Sequence, residues 1–261
     1  MNNLGEGCTQ CFEDFKLWDF ALEQREKGLI RHPGFALHDS ADALDKILTW
    51  HPEVEFVQLQ INYADWDSPS VQSRKCFEVA LKHKKPVIVM EPVKGGALAK
   101  PPAKVADCLE EVAFGVLMSS FAIRYAASLD NVITVLSGMS SLERMEDNLR
   151  TMTDFRPLNE REREAVGKAQ AALKSISSIP CTNCRYCVKG CPVRIDIPGI
   201  MNAMNQYITY DNLRSAMDNY RWVTRDGIKA GDCVACGQCE EVCPQHIGII
   251  GELRRAAEVL K

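Results

Sequence analysis

Eight cysteines in two copies of one spacing constrain this chain more than any other feature. The first run is Cys181-Thr-Asn-Cys184-Arg-Tyr-Cys187-Val-Lys-Gly-Cys191-Pro192. The second is Cys233-Val-Ala-Cys236-Gly-Gln-Cys239-Glu-Glu-Val-Cys243-Pro244. Both read C-x2-C-x2-C-x3-C-P, the spacing by which bacterial-type [4Fe–4S] clusters are held. Three thiolates from one tight turn let backbone N–H groups point at the cluster sulfides and stabilise their charge. The fourth ligand comes from elsewhere, and in this spacing the last Cys of each run serves the other cluster. One expected ligand set is therefore Cys181, Cys184, Cys187 and Cys243. The other is Cys233, Cys236, Cys239 and Cys191. Pro192 and Pro244 end each turn, where a missing N–H costs little.

Other uses of these thiols fit less well. Disulfides need an oxidising compartment, and the first residues carry no basic-then-apolar export signal. Zinc usually takes two C-x2-C pairs, without a third Cys two residues on. A radical role would leave one iron open, whereas eight thiolates close two cubanes, so electron transfer is the expected task. A purely structural role, in which the clusters only fold their domain, is the blander reading. Two clusters that share ligands sit close enough to exchange electrons, which favours redox work.

The chain has 261 residues, of which 46% are hydrophobic and 25% charged, as in ordinary globular proteins. A net charge of -4 gives no nucleic-acid signature, and no apolar run approaches a membrane span. Twelve cysteines without an export signal predict a reducing, cytoplasmic setting. The four outside the runs, Cys8, Cys11, Cys76 and Cys108, read as ordinary thiols, since a lone C-x2-C is a weak signal.

Before the cysteine runs the pattern is strand then helix, four times. A single helix is predicted over 11–27, with Phe15, Trp18 and Leu22 on one face and Gly28 past its end. Strands are predicted at 34–37, 55–61, 86–90 and 132–136. Helices follow through Leu44, Ile47 and Leu48, at 70–83, between 101 and 128, and at 141–151, with Asp39 or Ser40 and Ser141 as caps. Four βα units imply a parallel sheet, half of a (β/α)8 barrel. Chemistry in such folds sits at the C-terminal strand ends. Here those ends offer His38 and Asp39, then Gln58 and Asn62, then Glu91 and Gly96, then Ser137 and Gly138. Each alone reads as a cap or a satisfied polar group; together they suit a binding face. Inner faces that include Phe35, Val57, Leu59, Val87 or Ile88 and Ile133 are expected to need cover, as are both sheet edges.

Four segments carry a family resemblance. They are Gly34-Phe-Ala-Leu-His-Asp-Ser40, Phe56-Val-Gln-Leu-Gln-Ile-Asn-Tyr63, Val87-Ile-Val-Met-Glu-Pro-Val-Lys-Gly-Gly96 and Val135-Leu-Ser-Gly-Met-Ser-Ser-Leu-Glu-Arg-Met-Glu-Asp-Asn-Leu149. They resemble the second half of aldo/keto reductases. With the doubled cysteine run after them, nearly the whole chain resembles the branch of that family carrying a fused ferredoxin-type domain. The resemblance implies NAD(P)H as a further cofactor. His38, Asp39 and Gln58 match positions that hold the nicotinamide carboxamide. The loop 91–96, with Gly96, matches the segment along the pyrophosphate. Ser137 and Gly138 open the motif for the adenosine end, where Arg144, Asp147 and Asn148 match contacts to adenine or its ribose phosphate. Two departures stand out. Met90 occupies the place of an aromatic that stacks on nicotinamide. The Asp-Tyr-Lys-His tetrad, which the family draws from its first four strands, has no counterpart here, and Tyr63 lies past the matched sixth strand.

The expected organisation is a half barrel at 1–157, a linker helix within 158–178 and an alpha-helical ferredoxin domain at 179–261. Helices are predicted at 159–173, 200–207, 212–220 and 248–260, and Tyr186, Val188, Val234 and Val242 are expected to shield the clusters. The function expected is an iron–sulfur oxidoreductase or electron-transfer protein carrying two [4Fe–4S] clusters; the alternatives are a non-enzymatic electron carrier or docking protein, or a truncated copy of the enzyme lacking the tetrad. The partners expected are a redox protein, the missing barrel half or a second copy of the chain, with no nucleic acid and no membrane.

Overall fold

A computed structural model describes Leu4, residues 9–112 and residues 115–261. The chain divides into two compact units, one of residues 1–99 with 107–170 and one of residues 100–106 with 171–261.

The first unit is built on a four-stranded parallel sheet in the order β1-β2-β3-β4. The strands are β1 (Gly34–Ala36), β2 (Phe56–Gln60), β3 (Val87–Met90) and β4 (Val132–Val135). Its helices are α1 (Thr9–Asp14), α2 (Leu17–Glu26), α3 (Ala41–Trp50), α4 (Ser73–Lys82), α5 (Ala103–Glu110), α6 (Met118–Ala127), α7 (Leu142–Thr153) and α8 (Glu160–Lys174), of which α5 and α8 each have residues in both units. The first unit is thus four βα units, half of a (β/α)8 arrangement. Two helix starts follow their sequence signals. Ser40 Oγ accepts from Ala43 N at 3.2 Å, and Ser141 Oγ accepts from Arg144 N at 3.3 Å.

One face of the sheet meets the helices. Phe35, Val57, Leu59, Val87 and Val89 are all buried there against Leu44, Ile47 and Leu48 of α3 and Phe77 and Ala80 of α4. Burial of this kind contributes roughly 1.5–3 kcal/mol per large apolar side chain. Phe35, Val57, Leu59 and Val87 therefore do not face a barrel interior awaiting cover. Period-2 alternation sends Gln58, Gln60, Ile88 and Met90 to the opposite face, where Gln58 pairs with Ile88 and Gln60 with Met90. Gly34 lies on that face beneath Phe56, whose ring occupies the space a Cβ would need. A register shift at Val87/Ile88 leaves Ile133 as an extra residue, 59% exposed.

Two further expectations change. The predicted helix 11–27 is two helices, because Lys16 takes a left-handed conformation (φ 50°) and breaks it. Trp18 is buried while Phe15 is 76% exposed, so the two do not share an apolar face. The outer edge of β1 is not bare. Leu4, fully buried, makes a parallel bridge to Leu37, donating to Ala36 O at 3.0 Å and accepting from His38 N at 3.2 Å. Leu4 alone gives no helix or strand period, so the sequence carries no signal for it. The β4 edge stays open among the described residues, beside α7, which buries none of its side chains. Leu142, Met145, Leu149 and Met152 of α7 are all exposed.

The second unit is helical: α9 (Tyr186–Lys189), α10 (Ile197–Tyr210), α11 (Leu213–Val223), α12 (Gln238–Glu241) and α13 (Ile249–Val259). Its core joins Ile195, Ile197, Ile200, Met201 and Met204 to Ala216, Tyr220, Ile249, Leu253 and Ala256. No described helix in either unit is long and apolar enough to cross a membrane.

Candidate functional site

Each cysteine run folds by the same local rule. Asn183 and Arg185 in the first run and Ala235 and Gly237 in the second have positive φ (57°, 61°, 53° and 82°). Alternate residues in that conformation, on either side of the second Cys of each run, turn the chain tightly and can aim backbone N–H groups to one side. A one-turn helix follows in each, α9 or α12, and carries the third Cys of its run. After the fourth Cys, Arg194 and His246 again have positive φ, and a longer helix begins at Ile197 or Ile249. The hydrogen bonds repeat too: Arg194 N to Cys191 O at 3.0 Å matches His246 N to Cys243 O at 3.0 Å. The unit is thus an internal repeat, legible in sequence only through its cysteines and prolines.

The repeat sorts the eight thiols into two cavities. Cys181, Cys184, Cys187 and Cys243 line one, with Ile197, Pro198, Met201, Ile247 and Ile249. Cys191, Cys233, Cys236 and Cys239 line the other, with Ile195, Ile197, Ile250 and Leu253. Each cavity takes three cysteines from one run and the last cysteine of the other. Cys187, Cys239 and Cys243 are buried, while Cys184 and Cys236 are exposed. Among the described residues no three His, Cys, Asp or Glu side chains are grouped to hold a single metal ion. The described cysteines form no disulfide, and Cys8 lies outside the described residues. Burial, reinforced by Cys181, pushes the Cys187 thiol up to about 11, and burial also raises Cys181 and Cys239. Loading iron here must therefore displace protons. Of the side chains expected to shield the sites, Val188 is half-buried against the core, whereas Tyr186, Val234 and Val242 are exposed.

The strand-end residues of the first unit form two separate groups. His38 and Asp39 line a cavity of about 190 Å³ with Leu37, Leu59, Gln60, Ser70, Val71 and Cys76. Gln58 does not line it; its amide points to Met90 Sδ at 3.3 Å on the other face. Burial and the neighbouring Asp39 charge push the Cys76 thiol up to about 11, so it stays protonated and inert. The second group lies beyond β4. Asn148 Nδ2 donates to Ser137 Oγ at 2.8 Å, Arg144 Nη1 to Ser140 Oγ at 2.7 Å and Ser119 Oγ to Asp147 Oδ2 at 3.2 Å. A Cβ at Gly138 would meet open space. The groups stand at opposite edges of the sheet, three strand spacings or roughly 14 Å apart.

Between them lies a network that the sequence did not reveal. Asp65, on the loop after β2, accepts from Lys94 Nζ at 2.7 and 2.9 Å, from Asn62 Nδ2 at 2.9 Å and from Gln60 Nε2 at 3.1 Å. Asn62 also donates to Glu91 O at 3.1 Å. These bonds hold the loop 91–96, in which Glu91, Lys94, Gly95 and Gly96 all have positive φ. The side chain of Lys94 is only 15% exposed and is committed to Asp65. The one available signal was the Asn62-Tyr-Ala-Asp65 spacing of an Asx turn, closed by Asp65 N donating to Asn62 Oδ1 at 2.9 Å. The Tyr63 hydroxyl is buried without a hydrogen-bond partner among the described residues, and burial raises its pKa.

Comparison with known proteins agrees with this layout. The aldo/keto reductase family model matches residues 12–170, and a 4Fe-4S dicluster domain matches residues 180–248. No curated protein matches at a significant level. Among solved structures, the holo form of the aldo-keto reductase AKR11C1 from Bacillus halodurans aligns at 22% identity with a TM-score of 0.45. The alignment covers 56% of this chain and 52% of that one. Its apo form aligns at 22% identity and 0.45, covering 56% and 53%. The chain therefore spans about half the length of these structures. With an iron–sulfur domain following its half barrel, this chain belongs to the aldo/keto reductase family.

Proposed function

We propose that the protein is an electron-transfer oxidoreductase holding two [4Fe–4S] clusters. One is ligated by Cys181, Cys184, Cys187 and Cys243, and the other by Cys233, Cys236, Cys239 and Cys191. The observation that carries this is the sorting of eight thiols into two cavities, three from one run and one from the other in each. Bound clusters supply one-electron transfer. The chain's own part is to hold them, to keep Cys187, Cys239 and Cys243 from water and to leave Cys184 and Cys236 at the surface, where a redox partner reaches them. The reading places the protein in the cytoplasm, with the helix α8 segment joining a half barrel to the cluster domain.

Cross-ligation makes the proposal testable by paired substitutions. Cys191→Ser and Cys239→Ser strike the same cluster, so the double variant should retain about four irons, as each single variant does. Cys191→Ser with Cys187→Ser should abolish both clusters. If the second pair retained four irons and the first pair lost all, each run would ligate its own cluster and the assignment would fall.

The reading extends to a nicotinamide site. His38 and Asp39 at one edge, Gln58 on the other face of β2, and Gly96, Ser137, Gly138, Arg144, Asp147 and Asn148 towards the β4 edge would together bind a single NAD(P)H. Arg144, Asp147 and Asn148 already bond nearby serines. A second reading, a carrier or docking protein without carbonyl chemistry, is favoured by the Tyr63 hydroxyl, which is buried away from the strand-end cavity and unable to act as a proton donor there. In either reading the β4 edge, open among the described residues, and the exposed apolar side of α7 are to be covered by a redox protein, by a complementing half barrel from a partner or from a preceding segment, or by a second copy.

A further inference from the structure

The internal repeat gives the two cluster cavities matching ligands and unlike charges, and the differences fall at equivalent positions. Val188 of the first run corresponds to Glu240 of the second, and Arg185 and Asp196 correspond to Gly237 and Gly248. Arg185 lines the first cavity, and its guanidinium meets Asp196 at 3.2 Å, so the charged pair there sums to zero. The second cavity has no such pair. Glu240 instead directs its Oε1 to the backbone N–H of Ile250 at 2.8 Å, and Ile250 lines that cavity. Among the described residues no cation pairs with Glu240.

One side chain is shared by the two sites. Ile197, 1% exposed, lines both cavities, while Ile195 lines only the second and Pro198 only the first. A negative charge near a redox centre opposes the addition of an electron, and it acts more strongly where the surroundings are apolar and dry. Between cavities with matching ligands that share Ile197, a charge difference distinguishes two otherwise equal centres.

Resting on the two-cluster reading above, we infer that the clusters are unequal. Glu240 sets the site of Cys233, Cys236, Cys239 and Cys191 at the lower potential, and the neutral Arg185–Asp196 pair leaves the site of Cys181, Cys184, Cys187 and Cys243 at the higher one.

An EPR-monitored reductive titration of the reconstituted full-length chain tests this, with iron determined on every sample. The wild type should show two separated midpoints. Glu240→Gln should raise the lower midpoint and leave the upper in place. Arg185→Gln, which leaves Asp196 unbalanced at the first site, should lower the upper midpoint, so both variants narrow the gap from opposite sides. Coincident wild-type midpoints would overturn the inference, as would a Glu240→Gln variant that moves the upper midpoint or neither. Should Glu240→Gln fail to load iron, the Arg185→Gln result decides alone: an unmoved upper midpoint refutes the inference. A wild-type chain that loads fewer than two clusters would instead count against the two-cluster reading.

Discussion

Replacing Asp65 by Ala tests whether the strand-end loop is held by charge. The Asp65 carboxylate accepts four hydrogen bonds, two of them from Lys94, and its side chain is 8% exposed. Removing one partner of a buried ion pair costs about 3–5 kcal/mol, because the other charge is left uncompensated. Lys94 lies on a surface loop and can swing part of its length to water, which places the cost at the low end, about 3 kcal/mol. With a urea m-value of about 2 kcal/mol/M, the unfolding midpoint should fall by about 1.5 M. Lys94→Met alone should cost as much, since it strands the carboxylate. Combining it with Asp65→Ala should recover at least about 1 kcal/mol through coupling. Tryptophan fluorescence reads the half barrel, where Trp18, Trp50 and Trp66 reside. Trp222 belongs to the other unit and is replaced by Phe in the background. A loss below about 1 kcal/mol for Asp65→Ala, or additive single costs, would show that water screens the pair and that the loop is held otherwise.

Three further outcomes are expected. Burial alone would raise the Glu162 carboxyl, but the Arg124 guanidinium and the Asn159 N–H outweigh it and hold the pKa below the ordinary 4.5. Its stabilisation is thus complete above 4.5 and fades as the pH falls through the lowered value. The stability gap between wild type and Glu162→Gln should be constant from about pH 6 to 8 and shrink below about 4.5, and a gap that widens in acid would reverse the argument. Leu142 is 73% and Leu149 55% exposed on the α7 face, and Leu142→Asp should shift sedimentation towards monomer at tens of micromolar. A wild type already monomeric at that concentration contradicts self-association. The purified chain should turn over no simple aldehyde with NADH or NADPH, and steady turnover abolished by a strand-end substitution would refute the carrier reading.

What the sequence made legible follows from the range of each interaction. Ser40 and Ser141 cap helices through bonds three residues long, so their roles could be read directly. The cysteine spacing works the same way: three ligands within seven residues define a turn, whatever the rest of the chain does. The four βα units were legible through short apolar runs and helical periods. Which face of a strand is buried was not, because Phe35, Val57 and Val87 look alike whether they point to helices or to a lumen. The break at Lys16 was hidden, since Lys is a good helix former and its left-handed conformation has no local signature. Leu4 at the β1 edge and the Asp65–Lys94 pair depend on partners about thirty residues away, which no local pattern encodes. The match between Arg194 and His246 was invisible for the same kind of reason: the backbone angle is shared while the side chains are not.

The most direct test is the iron and acid-labile sulfide content of the anaerobically reconstituted full chain, read together with its EPR spectrum after reduction. The two-cavity arrangement predicts about eight irons and eight sulfides per chain, with signals from two [4Fe–4S] centres. Stoichiometric zinc without sulfide, or a single cluster of about four irons, would contradict it.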